Sequence, residues 1–271
     1  MSITTRDLLI AALAAGKKWD FFKASQTSEG AGTFHSLWKA AGYPAAGATA
    51  TVYTNGSGYV PTDATLGAIA FTNPSAPALS YLLQLVMAGT IVGKLIFYDR
   101  LWACSGFTTN GANPTTLNVT TPGALTRPDA LGNGAEIWGE VYTAPGATGS
   151  AWSVQYVDQA DGAQNATYTH PANAESVGQM FPFLLAASTT GVKQITSFTH
   201  TVASLGAGDI GVNVLRRIAE IPLMIANIGD IYDAFFLGMP QIYDDACIGA
   251  MVMCSATTTG IIQGSGRIGQ G

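Results

Sequence analysis

The stretch Glu136–Thr143, EIWGEVYT, alternates strictly. Glu136, Trp138, Glu140 and Tyr142 point one way, and Ile137, Gly139 and Val141 the other. A period of two is the signature of a strand with two unlike faces, and no helix can honour it. Ala151–Val157 repeats the design with Trp152, Val154 and Tyr156 on one side, and the Asp161-Gly162 pair then turns the chain into Asn165–His170 as a hairpin. Thr90–Trp102, Gln179–Leu185, Val192–Ala203, Ile210–Leu223, Ile248–Ser255 and Thr257–Gln263 are further strand candidates, rich in branched and aromatic types. The spacing of strands and turns predicts a mainly β protein with a β-sandwich or jelly-roll-like core.

The ends of the chain differ from this pattern. Leu8–Ala15 is an apolar run ending in small residues, like a signal peptide, but Asp7 cancels Arg6, and Lys17, Lys18 and Lys23 follow. A short helix is the better reading, with Thr4 as cap, Asp7 at the third position, and Leu9, Ala12, Leu13 and Gly16 on one face. Between Lys39 and Lys94 the only charge is Asp63, and Gly42–Pro77 is mostly Gly, Ala, Thr, Ser and Pro. Such a segment has few large side chains with which to build a core. It reads as an extended arm that becomes ordered by lying on something else. The expected division is therefore 1–80, helix and arm, and 81–271, core. Ile228–Asp245 reads as a loop with one helical turn.

Charge limits the partners. Only 11% of the residues are charged, against about a quarter in ordinary soluble domains, and the formal net charge is −5. No basic excess exists to neutralise phosphates, so nucleic acid is not expected as a partner. The apolar runs Ala64–Gly93 and Ala246–Gly266 are broken by polar residues and prolines, so no membrane span is expected. A surface so poor in charge favours association, which points to a homo-oligomer.

Motifs for chemistry are weak. Gly264-Ser-Gly266-Arg-Ile-Gly269 spells a dinucleotide glycine pattern with no helix to open, and Gly89–Lys94 is one residue short of a phosphate loop. Ser36-x-x-Lys39 lacks the companion motifs of penicillin-interacting enzymes. His35, His170 and His200 share no ligand spacing. Cys104, Cys247 and Cys254 match no zinc pattern, and Cys247 and Cys254 read as buried thiols made in a reducing compartment. Asp230, Asp233, Asp244 and Asp245 lack the order of a calcium loop and read as a surface turn. Asn55, Asn118 and Asn165 head sequons of the kind expected by accident, and Arg216 or Arg217 suits an ion pair across a subunit boundary. Glu136 and Glu140 share a strand face at a spacing read as suitable for inverting glycoside chemistry, against the simpler reading of two solvated carboxylates. No catalytic residue, cofactor or metal is expected, and the chain does not read as an enzyme.

The strings DRLWACSG (Asp99–Gly106), GAEIWGEVYTAPGATGSAWSVQYVDQ (Gly134–Gln159), VLRRIAEIPL (Val214–Leu223) and MPQIYDDACIGAMVMCSATTTGIIQGS (Met239–Ser265) add one further indication. Across most of residues 30–271 the chain resembles structural proteins of tailed bacteriophages encoded among head genes. The resemblance implies a capsid decoration or cement protein with a β-sandwich or jelly-roll core. It would be a homotrimer, with arms over the phage major capsid protein, located on the capsid surface of a virion assembled in the host cytoplasm. Residues 30–80 would then touch other chains, and Trp138, Tyr142, Trp152 and Tyr156 would serve sheet packing or subunit contacts. Two other readings are a tail tube or tail-tip protein and a carbohydrate-binding β-sandwich module using Glu136 and Glu140.

Overall fold

A computed structural model describes residues 3–27, 30–48, 58–108, 115–118, 125, 127, 131–146, 148–170, 176–200 and 208–271. The protein is mainly β, with 53% of the described residues in strands and 6% in helix. Its elements are α1 (Arg6–Ala15), β1 (Lys17–Lys23), β2 (Phe34–Ser36), β3 (Gly42–Tyr43), β4 (Ser80–Gly89), β5 (Gly93–Thr108), β6 (Thr115–Asn118), β7 (Ala135–Thr143), β8 (Ser150–Asp158) and β9 (Ala163–His170). There follow β10 (Gln179–Pro182), β11 (Val192–His200), β12 (Asp209–Leu223), β13 (Asp230–Tyr232), α2 (Ala234–Leu237), β14 (Gln241–Ile242), β15 (Ile248–Cys254) and β16 (Ile262–Gln270).

A closed barrel in the order β10-β2-β15-β5-β12-β7 forms the centre. Its interior takes one side of the alternation from every strand: Phe34, Ile96, Tyr98, Trp138, Met180, Leu215 and Met251. A barrel this small is filled by side chains and is a packed core, not a channel. Two sheets flank it. The sheet β13-β4-β16-β1-β3, with β14 also on β4, lays Trp19, Phe21, Leu82, Leu85, Met87 and Ile262 against Leu95, Phe97, Ile221, Ala250 and Val252 of the barrel wall. The sheet β6-β11-β8-β9 lays Trp152, Val154, Tyr156, Ile195 and Phe198 against Trp102, Cys104, Ile137, Val141, Val212 and Val214. β5 and β12 are long enough, at 16 and 15 residues, to serve both contacts. Their ladder is broken by register shifts near Val214 and Arg217, which bend the pair around the barrel.

Glycine has a specific use here. Trp19 pairs across the ladder with Gly266, Tyr98 with Gly249 and Phe181 with Gly139. In each pair the aromatic ring lies over the glycine, where a Cβ would stand 2.0, 2.8 and 2.2 Å from ring atoms. The ring covers a residue that otherwise packs nothing, so each pair behaves as one cross-strand unit.

Several expectations change. The helix begins after Thr5, not Thr4: the Thr5 hydroxyl accepts from the Leu8 amide at 3.2 Å. Leu9 and Ala12 are buried as its face predicts. β4 alternates in burial except at Leu82 and Leu83, which are both buried because the barrel side covers one and Leu9 and Ala12 of α1 cover the other. The strand expected over Thr257–Gln263 instead begins at Ile262 and runs through the glycine pattern to Gln270. The first eighty residues, expected to form a helix and an arm, supply β1 to one flanking sheet and β2 to the barrel. Tyr59 forms a bridge with Ala103, and the Ile69 amide bonds the Ile248 carbonyl at 3.0 Å. The described part of the expected arm therefore lies on the chain's own barrel and on the flanking sheet that holds β1 and β16. Trp138, Trp152 and Tyr156 are fully buried and Tyr142 nearly so, all within this chain. Asn55 lies outside the described residues, as does the Val202 end of the expected Val192–Ala203 strand.

We expect Gly139→Ala to drive its methyl into the buried Phe181 ring and to destabilise the protein by about 1–3 kcal/mol. A urea denaturation midpoint lowered without a change of slope checks this.

Candidate functional site

The densest chemistry sits where β5 crosses the barrel. In a strand, Asp99 and Arg100 must point to opposite faces. Arg100 enters the barrel and has no exposure to solvent. Its Nη2 donates to Glu140 Oε2 at 2.9 Å, and its guanidinium lies over the Trp38 ring at 4.5 Å. The same Glu140 oxygen accepts from the Tyr142 hydroxyl at 2.8 Å and from Asn213 Nδ2 at 3.3 Å. Burial opposes the Arg100 charge, but Glu140 holds its pKa well above the ordinary value. Burial, then Glu140, pushes the Tyr142 hydroxyl far up, and burial lifts Tyr98 to about 12. At neutral pH both phenols stay protonated; the Tyr142 hydroxyl donates to Glu140, and the Tyr98 hydroxyl accepts from Arg100 Nη2 at 3.5 Å.

Asp99 points outward beneath the segment that covers the barrel. Arg127 holds it in a fork, Nε to Oδ2 and Nη2 to Oδ1, both at 3.2 Å, and the Cys247 amide donates at 2.9 Å. Burial raises the Asp99 pKa against the pull of Arg127. Arg127 also donates to the carbonyls of Pro61, at 2.9 Å, and Arg100, at 3.3 Å. One buried ion pair thus fastens the covering segment to β5, while the other braces the barrel from inside. Sequence reasoning missed this centre. The available signal was an Asp-Arg dipeptide inside the apolar run LIFYDRLWAC, where a buried charge has to find a partner.

The residues considered for catalysis do not assemble. Glu136 and Glu140 share a face, as expected, but four strand residues separate them by about 13 Å along the strand. That exceeds the roughly 6.5–9.5 Å between inverting carboxylates. Glu140 is sealed in the barrel, while Glu136 accepts from Trp138 Nε1 at 2.8 Å and pairs with Arg217 at 3.0 Å. Buried Ser36 Oγ accepts from the Trp38 amide, whereas Lys39 is exposed over the Tyr142 ring. Lys94 pairs with Glu220 at 2.5 Å. Arg217 bonds Glu136 and Glu220, and Arg216 donates to the Gln241 carbonyl, so both arginines are used within the chain. Asp233 caps α2, and Asp245 exchanges hydrogen bonds with Asn73. Cys104, Cys247 and Cys254 are buried and form no disulfide. Among the described residues, no group of three or more His, Cys, Asp or Glu side chains is placed to hold a metal, and no helix is long and apolar enough to cross a membrane.

His35 is buried between β10 and β15, with Nε2 3.1 Å from Ser176 Oγ, and burial lowers its pKa to about 4. Lys23 is also buried; it donates to the carbonyls of Pro44, at 2.8 Å, and Ala40, at 3.3 Å, and burial lowers its pKa to about 8.

Among the described residues, exposed apolar side chains concentrate in one stretch. Met224, Ile225, Ile228, Ile231, Phe235 and Phe236 are 58–82% exposed within thirteen residues. Large exposed apolar patches mark interaction surfaces.

No family model and no curated protein matches the chain. Among solved structures, the crystal structure of infectious bursal disease virus VP2 subviral particle aligns with 95% of this chain and 81% of that chain, at 10% identity and a TM-score of 0.20. The structure of infectious bursal disease virus Gx strain aligns with 94% and 80%, at 10% identity and a TM-score of 0.17. Superposition this poor carries no argument about this chain.

Removing Glu140 alone, as in Glu140→Leu, strands the Arg100 charge and should cost about 3–5 kcal/mol. The double variant Arg100→Met/Glu140→Leu should recover most of that loss, as read by denaturation. Acid should weaken the fold through His35. Its folded pKa lies below the unfolded value of 6.5, so protons bind preferentially to the unfolded chain and stability falls as pH drops from 6.5 through about 4. The fall in urea midpoint across that window should be smaller in His35→Gln.

Proposed function

We propose that this chain is a non-catalytic structural protein of a virion, with the capsid decoration or cement protein of a tailed phage as the specific assignment. The observation that carries the proposal is the combination of a well-packed barrel with a concentrated, solvent-facing apolar surface at Met224–Phe236. The buried ion pairs are used internally, so the chemistry the molecule offers outward is contact. A surface with few charges and many exposed apolar groups suits association with like subunits and with a shell of major capsid protein. The fold also supports the mechanical part of the role: barrel closure leaves no free edge in the centre, and each flanking sheet is fixed to it by aromatic packing. The resemblance of the strings Asp99–Gly106, Gly134–Gln159, Val214–Leu223 and Met239–Ser265 to phage head proteins supports the specific assignment.

Purified particles of the phage that carries this sequence provide the test. Quantitative mass spectrometry should find the chain in the particle at a copy number comparable to that of the major capsid protein, and cryo-electron microscopy should place it outside the shell. A few copies per particle would move it to the neck or tail; its absence from particles would overturn the proposal.

A further inference from the structure

The exposed apolar cluster is held in an ordered, specific form. α2 is a single turn, capped at its start by Asp233, whose carboxylate accepts from the Phe235 and Phe236 amides at 3.1 and 2.9 Å. It ends at Gly238 in the left-handed region, at φ 71°. Ala234 anchors the turn against Leu9 and Leu83. This construction turns Phe235 outward to 82% exposure, with Phe236 beside it at 59% and 5.0 Å from the Tyr232 ring. A capped turn that spends its two largest side chains on solvent is built as a knob. Residues 224–237 include Asp230 and Asp233 and no Lys or Arg, so the knob is acidic.

The same sheet carries a matching socket. A cavity of about 460 Å³ is lined by Trp19, Phe71 and Ile268 with Lys17 and Lys18, and no acidic residue lines it. It is large enough for an aromatic ring. Knob and socket lie toward opposite sides of the sheet: β13, which leads into α2, is one edge strand, and β1 lies beyond β16 on the other side. β3 covers β1 only at Phe22 and Lys23, so strand pairing leaves the Lys17–Phe21 side of β1 open.

We propose that the occupant of this socket is the Phe235–Phe236 knob of a second copy of this chain. Apolar groups meet at the centre, and Asp230 and Asp233 face Lys17 and Lys18 around it. The contact is heterologous, because one copy presents the knob and the next the socket; it closes into a ring or continues as a row. It requires no virion, so it stands or falls apart from the functional assignment, which particle composition tests separately.

The full-length chain is tested by sedimentation and by disulfide trapping. Wild type should self-associate with concentration. Phe235→Ser/Phe236→Ser should weaken association about tenfold or more, with the thermal transition of the monomer unchanged, because both rings are exposed. Lys17→Glu/Lys18→Glu should also weaken it, and adding Asp230→Lys to that variant should restore part of the loss. Under oxidation Lys18→Cys/Phe235→Cys should give covalent multimers, while each single variant stays monomeric on a denaturing gel; the three native cysteines are buried. A chain that remains monomeric at all concentrations overturns the proposal. So do cross-linking by Phe235→Cys alone, which would mean patch-to-patch pairing, and association that survives the double serine variant.

Discussion

The rest of the molecule is organised around the antiparallel ladder of β5 and β12. Its thirteen paired positions run from Asp209 with Thr108 to Leu223 with Gly93. Each of these two strands has side chains in all three parts of the fold. Inward, it gives Ile96, Tyr98 and Leu215 to the barrel interior. Outward, one end gives Leu95, Phe97 and Ile221 to the first flanking sheet, and the other end gives Trp102, Cys104 and Val212 to the second. The register shifts let a single ribbon change which face it shows as it curves. Without that bend, both sheets would compete for one side.

The two buried ion pairs follow from the same ribbon. Adjacent strand residues face apart, so Asp99 and Arg100 cannot satisfy each other. Each recruits a distant partner, Arg127 and Glu140, and brings a distant segment with it. Buried pairs of this kind contribute little net stability compared with an apolar core, but an unmatched member is very costly. Their effect here is to specify one arrangement: Arg127 reaches the Pro61 carbonyl only when the covering segment is in place. The expected arm is explained by the same geometry. A Gly-, Ala- and Thr-rich segment cannot build a core, but it can lie close to one, as where Gly58 rests on the Trp102 ring and Gly47 on Trp38.

Self-sufficiency at the centre contrasts with exposure at the sheet β13-β4-β16-β1-β3. The barrel is closed and, among the described residues, its strands expose no large apolar side chain, whereas that sheet carries the capped turn of Phe235 and Phe236 and a cavity lined by Lys17 and Lys18 at its sides. This division suits a part that must be rigid in itself and adhesive at set points.

Local sequence determined much of this. The alternation in EIWGEVYT and AWSVQYV, the Asp161-Gly162 turn and the apolar face of α1 each depend on neighbours within one element, and they appear in the structure as read. The strands β1 and β4 escaped: β1 alternates, but it buries a lysine and exposes Phe22, and β4 is apolar on both faces, so burial there does not follow residue type. Other features were decided only by tertiary structure. Closure of the barrel, the sharing of β5 and β12 among three layers, and the lodging of Arg100 on Glu140 depend on residues tens to more than a hundred positions apart. Sequence shows that a buried charge needs a partner; only the folded chain selects which one, because that choice is made by distance in space.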